Sequence, residues 1–131
     1  MQETLITSGL AQVTFAVLLG WPLAGLYAGM ERVGLLVNMK RVLQAHLDNI
    51  FMGMLQMVIA SVFPGLPVVA GWLLLVGSWC NPQLFLYQAT AGKRSHELPG
   101  ARPLALASFS VLTVAYLWTL TAWVRSGTGV G

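Results

Sequence analysis

The sequence is short of charged residues. Only 8% of its 131 residues are charged, whereas 56% are hydrophobic. Soluble domains carry roughly 25% charged residues, and a soluble chain with so few would struggle to cover its surface. The shortage therefore argues against a soluble domain and predicts an integral membrane protein.

Two further absences narrow the interpretation. The chain has a single cysteine, Cys80, which excludes an intrachain disulfide and leaves the compartment undefined by cysteine content. The stretch from Met1 to Ser8 contains Glu3 as its only charged residue, and a start without basic residues does not predict a cleavable signal peptide. The net charge of +3 does not indicate nucleic-acid binding, because the basic residues are better used as markers of membrane topology.

Four long apolar stretches fill the chain, at about residues 8–30, 42–63, 68–90 and 104–124. Each is long enough to cross a bilayer as a helix at 1.5 Å per residue. A chain inside a membrane must satisfy its backbone hydrogen bonds internally, so each span is predicted to be helical. We therefore expect an all-α protein, a four-helix transmembrane bundle that occupies residues 1–131 as one domain.

The basic residues are distributed unevenly between the two sides of such a bundle. Six of the seven fall in the connections that follow the first and third spans, namely Arg32, Lys40, Arg41, Lys93, Arg94 and Arg102, and only Arg125 falls on the other side. Loops rich in Lys and Arg stay in the cytoplasm. This asymmetry predicts a multi-pass protein of a bacterial-type inner membrane, with both charged loops cytoplasmic and both termini on the opposite side.

The second span carries a polar stripe. His46, Asn49, Gly53 and Gln56 are spaced i, i+3, i+7 and i+10, which places them on one face of a helix. Asp48 lies roughly opposite and needs a different partner. One interpretation is that the polar residues near His46 only mark the cytoplasmic end of the helix. Because the stripe continues inward to Gln56, it is more typical of a surface buried in the bundle, in a subunit interface or around a cofactor.

A lone histidine in a helical bundle suits haem iron, for which one neutral imidazole nitrogen is enough. A zinc ion would require three or four protein ligands, and the only other strong ligands are His96, in a loop, and Cys80, in the third span. A haem bound by His46 alone would keep one coordination position open, which suits substrate binding better than electron transfer.

A second polar cluster interrupts the third span at residues 77–83. Pro82 has no backbone N–H, so the carbonyl of Ser78 loses its helical partner. Asn81 either fills this gap as a structural cap or points at a ligand, and it shares a face with Phe85 and Gln88. The neighbouring face carries Trp79, Gln83 and Tyr87, for which packing and interfacial anchoring are the alternative roles.

In the first span, the recurrence of Gly20, Ala24 and Ala28 predicts a helix contact.

These residues resemble a known family. The run Ala45-His46-Leu47-Asp48, the pair Gly53-Met54 and the run Trp79-Cys80-Asn81 resemble hydroxylaminobenzene mutase, a small four-helix membrane enzyme related to styrene oxide isomerase. The resemblance is specific in residues 44–57 and 77–92. It implies that His46 is the axial ligand of haem b, held near the interface between subunits of a homo-trimer.

The resemblance also implies site residues. The family has an asparagine just before the glycine of the second span, where this chain has Met52, and Asn49 on the His46 face is the candidate replacement. The catalytic tyrosine of the isomerase maps near Phe85, which makes Tyr87 the candidate. The predicted catalytic residues are Asn49, Asn81, Tyr87 and Asp48, and the predicted cofactor-binding residues are His46, Gly53 and Gln56.

The implied reaction rearranges hydroxylaminobenzene to 2-aminophenol, with ferric haem as a Lewis acid and without net redox change. Asn49 or Asn81 would orient the hydroxylamine, and aromatic walls such as Phe51, Trp79 and Phe85 would hold an arene that enters from the membrane lipid. The alternatives are an epoxide isomerase of the styrene oxide isomerase type and a non-enzymatic haem-binding subunit. A small multidrug-type transporter is disfavoured, because its characteristic acidic residue in the first span is missing after Glu3.

Overall fold

The computed structural model describes residues 1–92 and 98–127, and these residues form a bundle of four long helices. The helices are α1 (Gln2–Tyr27), α2 (Met39–Val62), α3 (Val68–Ala89) and α4 (Ala101–Arg125). All four are long and apolar enough to cross a membrane. The predicted all-α four-helix membrane bundle is confirmed. Lys93, Arg94 and His96, which figured in the expected topology and ligand search, lie outside the described residues.

The helix ends differ from the limits of the apolar stretches. Helix α1 begins at Gln2 rather than near residue 8 and ends at Tyr27, because the polar residues before the apolar stretch are compatible with a helix. Helix α2 begins at Met39, where the side chain of Asn38 caps the first turn by accepting a hydrogen bond from the Arg41 backbone N–H at 3.3 Å. Hydropathy therefore located each span, but the capping contact fixed where α2 begins.

Consecutive helices pack side by side along the chain. Helix α2 lies between α1 and α3, α1 also touches α3, and among the described helices α4 packs its backbone only against α3. A buried apolar cluster joins the ends of the helices farthest from the charged loops. It comprises Leu5, Ala60, Phe63, Leu66, Ala70, Leu74 and Ala115. The outer surfaces of all four helices remain apolar and exposed, as expected for surfaces in contact with lipid.

A tight helix contact is formed by two glycines, Gly9 and Gly53, that sequence analysis did not pair. A Cβ atom built on Gly53 would lie 2.6 Å from the Gly9 carbonyl oxygen, so α1 and α2 cross here with their backbones nearly touching. The expected contact stripe of Gly20, Ala24 and Ala28 is wrong for its last two members, which are exposed. Each four-residue step turns the side chain by about 40° beyond a full helical turn, which carries this stripe away from the buried face.

The connection between α1 and α2 is a compact turn fastened to the end of α3. Val33 and Leu36 exchange two backbone hydrogen bonds of 2.9 and 3.0 Å. The backbone N–H groups of Val37 and Asn38 then donate to the Ala89 carbonyl at 2.9 and 3.1 Å. These bonds hold the beginning of α2, and therefore His46 in its second turn, in a fixed relation to the end of α3.

Candidate functional site

His46 points from α2 towards the backbone of α1. Its Nδ1 lies 2.8 Å from the Ala16 carbonyl oxygen, and the side chain is half-buried. A carbonyl oxygen only accepts hydrogen bonds, so Nδ1 carries the proton in this contact. In the neutral imidazole Nε2 then keeps its lone pair, and it has no hydrogen-bond partner among the described residues. Metal-binding histidines are commonly oriented in this way, with the second nitrogen held by a carbonyl.

The predicted polar stripe of α2 faces α1 as a continuous seam. Gly53 contacts Gly9, and the fully buried Asn49 and Gln56 both meet Gln12 of α1. The Gln12 Nε2 donates to Asn49 Oδ1 at 3.2 Å, and Gln56 Nε2 donates to Gln12 Oε1 at 2.6 Å. The four residues predicted to share a face therefore do so, with His46 at the edge of the seam.

Gln12 is a residue that sequence analysis missed. Its Nε2 also donates to the Ser78 carbonyl at 2.6 Å, the carbonyl that lost its helical partner to Pro82. Of the two roles considered for Asn81, the structural cap is therefore not the one it has, because the gap is filled from another helix. The signal was present, since a lone glutamine among apolar residues of the first span and an orphaned carbonyl in the third each needed a partner.

The Ser78 carbonyl also sets the orientation of the whole amide network. Because it must accept, Gln12 presents its Nε2 to it, and the Gln12 oxygen then accepts from Gln56. Asn49 is engaged at both ends: Nδ2 donates to the Ala45 carbonyl at 2.7 Å, and Oδ1 accepts from Gln12 and from Gln83. Asn49, which was predicted to be catalytic, is fully buried, and these hydrogen bonds join α2 to α1 and α3.

Asp48 finds its partner on α3. Asn81 Nδ2 donates to Asp48 Oδ2 at 2.8 Å, while Asn81 is only 3% exposed and its Oδ1 has no partner among the described residues. Two positions along a helix separate side chains by about 200°, so this pair lies on the side of α2 away from His46. The expectation that Asp48 pairs apart from the stripe is confirmed. The predicted site residues thus form two groups, one on each side of α2.

The aromatic residues are dispersed rather than gathered around His46. Tyr87 is exposed, and its hydroxyl donates to the Pro99 carbonyl in the α3–α4 connection at 3.0 Å. Trp79 donates to the Ser8 hydroxyl at 2.9 Å, and the ring of Phe85 lies 5.8 Å beneath the Arg41 guanidinium. Phe51 projects outward from α2 and is 59% exposed. Within the chain, the structure does not bring Tyr87 to the seam or to the Asp48–Asn81 pair.

Comparison of the chain with protein-family models, with curated proteins and with solved structures found no match.

Proposed function

We propose that the protein is a membrane isomerase, an intramolecular transferase that rearranges hydroxylaminobenzene to 2-aminophenol with a haem b held by His46. The observation that carries this proposal is the hydrogen bond from His46 Nδ1 to the Ala16 carbonyl. It orients the ring and leaves Nε2 as a free ligand nitrogen within a membrane-spanning helix.

The surroundings of His46 are compatible with a histidine that would hold haem. Leu43 and Ile50 lie one turn before and one turn after it on the same side of α2, and neither is fully buried. Gly20 of α1 lies opposite, where a Cβ atom would be in ordinary van der Waals contact with His46 Cε1, at 3.9 Å. These apolar side chains would cover the porphyrin while His46 held it. Bound ferric haem supplies a Lewis acid that draws on a lone pair of the hydroxylamine.

The chain's own residues contribute binding and the exclusion of water. The Asn81 Oδ1 and the Asp48 carboxylate are acceptors that suit the N–H and O–H groups of a hydroxylamine. Three residues act indirectly, because they fix the position of α2 and therefore of His46. They are Gly53, Asn49 and Gln56. The surrounding apolar surface admits an arene from the lipid and keeps bulk water from competing for the rearranging ring.

The proposal extends to assembly and location. The half-buried His46 would be covered by a further copy of the chain, in the homo-trimer that the family resemblance implies, with haem near the interface. The charged connections would face the cytoplasm of a bacterial-type cell, with Arg32, Lys40 and Arg102 all exposed.

The absorption spectrum of the purified protein tests the ligand assignment. We expect a Soret band that is lost in His46→Ala, because that substitution removes the only proposed ligand. Gln44→Ala is the matched control: Gln44 is also a partly buried polar residue of α2, but it bonds only Arg41, at 2.8 Å, and its loss should leave the band in place. An unchanged Soret band in His46→Ala would remove the assignment.

Product analysis tests the reaction. Incubation with hydroxylaminobenzene should give 2-aminophenol without consumption of an external reductant or oxidant, and His46→Ala should not form it. Styrene oxide is offered in parallel. Conversion of the epoxide alone would replace the mutase by an epoxide isomerase, and conversion of neither substrate by a haem-loaded protein would identify a non-enzymatic haem subunit.

A further inference from the structure

The connection between α1 and α2, residues 28–38, exposes apolar side chains although its backbone is fastened to the bundle. Leu35, at the tip of the Val33–Leu36 turn, is 81% exposed, and Met30 is 56% exposed. Val33 and Leu36 point the other way and pack against the buried cluster of Leu26, Val42 and Ala89. The connection therefore has an inner apolar side that is covered and an outer apolar side that is not.

The turn is held rigidly. Val37 and Asn38 donate their backbone N–H groups to Ala89, and the Asn38 side chain donates to the Gly92 carbonyl at 3.1 Å. Gly34 adopts a φ of +60°, a conformation that glycine reaches without steric cost and that lets the chain reverse at this point. Because the backbone of the turn is held by these hydrogen bonds, the Leu35 side chain cannot become buried through a local rearrangement of the connection.

Cations flank the exposed apolar residues. Arg32 precedes the turn and Lys40 follows it in the first turn of α2, and both are exposed, as is the acidic Glu31 beside Arg32. With Glu31 counted, these three residues keep a net positive charge at this end of the connection. Tyr27, at the end of α1, is 83% exposed at the same end of the bundle. Leucine and methionine beside Tyr, Arg and Lys are the combination that settles at the boundary between hydrocarbon and phosphate headgroups, with the aromatic ring at headgroup level.

We propose that this connection is an interfacial anchor that inserts Leu35 and Met30 below the headgroups of anionic phospholipids, with Arg32 and Lys40 on their phosphates. The surface is continuous with the lipid-facing sides of α1 and α2, so the same bilayer that surrounds the helices covers it. Its apolar tip excludes a purely aqueous position, and its two cations select anionic over zwitterionic lipid.

A fluorescent label at the tip tests the depth of insertion. The protein carrying Cys80→Ser and Leu35→Cys is labelled with an environment-sensitive dye in nanodiscs that contain phosphatidylglycerol. We expect strong quenching by lipids with a nitroxide near the headgroup and weak quenching by aqueous iodide. The matched control is Pro99→Cys, an exposed position on the α3–α4 connection, where iodide should quench more strongly. A tip label quenched by iodide as readily as the control, and not by the lipid nitroxide, would overturn insertion.

Charge variants test lipid selection independently of the label. The preference of the protein for fluorescent phosphatidylglycerol over phosphatidylcholine should fall roughly fivefold for each of Arg32→Gln and Lys40→Gln. The control is Arg125→Gln, which removes a cation from the far end of α4. This variant should keep the preference of the protein for phosphatidylglycerol. If a protein that carries both Arg32→Gln and Lys40→Gln kept the wild-type preference for phosphatidylglycerol, the proposed selection of anionic lipid would be overturned.

Discussion

Gln12 is the residue that joins three helices. Its side chain is fully buried, and it contacts Asn49 and Gln56 on α2 and the Ser78 carbonyl on α3. In hydrocarbon no water can replace these partners, so the loss of Gln12 leaves the Ser78 carbonyl and the Gln56 amide N–H without a partner and removes one of the hydrogen bonds of Asn49. The break that Pro82 makes in α3 is tolerable because Gln12 supplies the missing donor.

We expect Gln12→Leu to destabilise the bundle by about 1–2 kcal/mol, although it preserves side-chain volume, because it removes every one of these hydrogen bonds. The measurement is the free energy of unfolding in detergent mixtures, followed by helical circular dichroism. Thr14→Val is the control, since the Thr14 hydroxyl is exposed and bonds only the Leu10 carbonyl of its own helix. Equal stability of the two variants would contradict the bridging role.

For individual residues, the sequence predicted relations within one helix but not contacts between residues far apart in the chain. The spacing of His46, Asn49, Gly53 and Gln56 was enough to predict a shared face, because helical periodicity is a local property. The partnership of Gln12 with Ser78 was not predictable in this way, since the two residues are 66 positions apart. The same holds for Asn49, whose partners Gln12 and Gln83 lie on two other helices.

At the scale of the elements, the packing of α1 on α2 depends on the Gly9–Gly53 crossing. A Cβ at Gly53 would meet not only the Gly9 carbonyl at 2.6 Å but also the Val13 side chain at 2.8 Å. Backbone cannot move aside as a flexible side chain does, so a methyl group here forces the helices apart. The displacement would also stretch the bond between Ala16 and His46, which spans the same pair of helices.

Gly53→Ala should therefore cost about 1–3 kcal/mol of unfolding free energy and, if the proposed function holds, lower the haem content of the purified protein. Gly65→Ala provides the comparison, because a Cβ there meets the Phe63 ring at an ordinary 3.5 Å. Unfolding in detergent and the ratio of Soret to protein absorbance report the two effects. A Gly53→Ala protein as stable as Gly65→Ala would show that the helices can separate without loss.

The elements were predictable in number and type but not in their ends or contacts. Long apolar stretches can only be helices in a membrane, which is why four were expected, and residues 1–92 and 98–127 contain four. The beginning of α2 depends on the Asn38 cap, and the α1–α2 contact depends on where two glycines meet, neither of which hydropathy measures. The stripe of Gly20, Ala24 and Ala28 does not stay on the buried face of α1, because residues four positions apart are offset around the helix.

At the scale of the whole molecule, the two polar groups lie on different sides of α2. His46 faces α1, while Asp48 bonds Asn81 of α3. If both groups act on one substrate, as the proposed function requires, they must come from neighbouring copies of the chain. A closed ring of identical subunits provides this arrangement, since each subunit presents one face to each neighbour.

Subunit mixing decides whether the site is composite. His46→Ala and Asn81→Leu should each be inactive alone, but mixed assemblies should recover roughly a third of the wild-type rate, because in the proposed trimer every mixed ring has one interface in three that places an intact His46 beside an intact Asn81. The measurement is 2-aminophenol formation by separately tagged, doubly purified assemblies. A mixture of His46→Ala with His46→Phe contains no intact His46 and should stay inactive. If the first mixture is equally inactive although Asn81→Leu alone retains haem, the two polar groups do not meet across a subunit boundary, and the Asp48–Asn81 pair only joins α2 to α3.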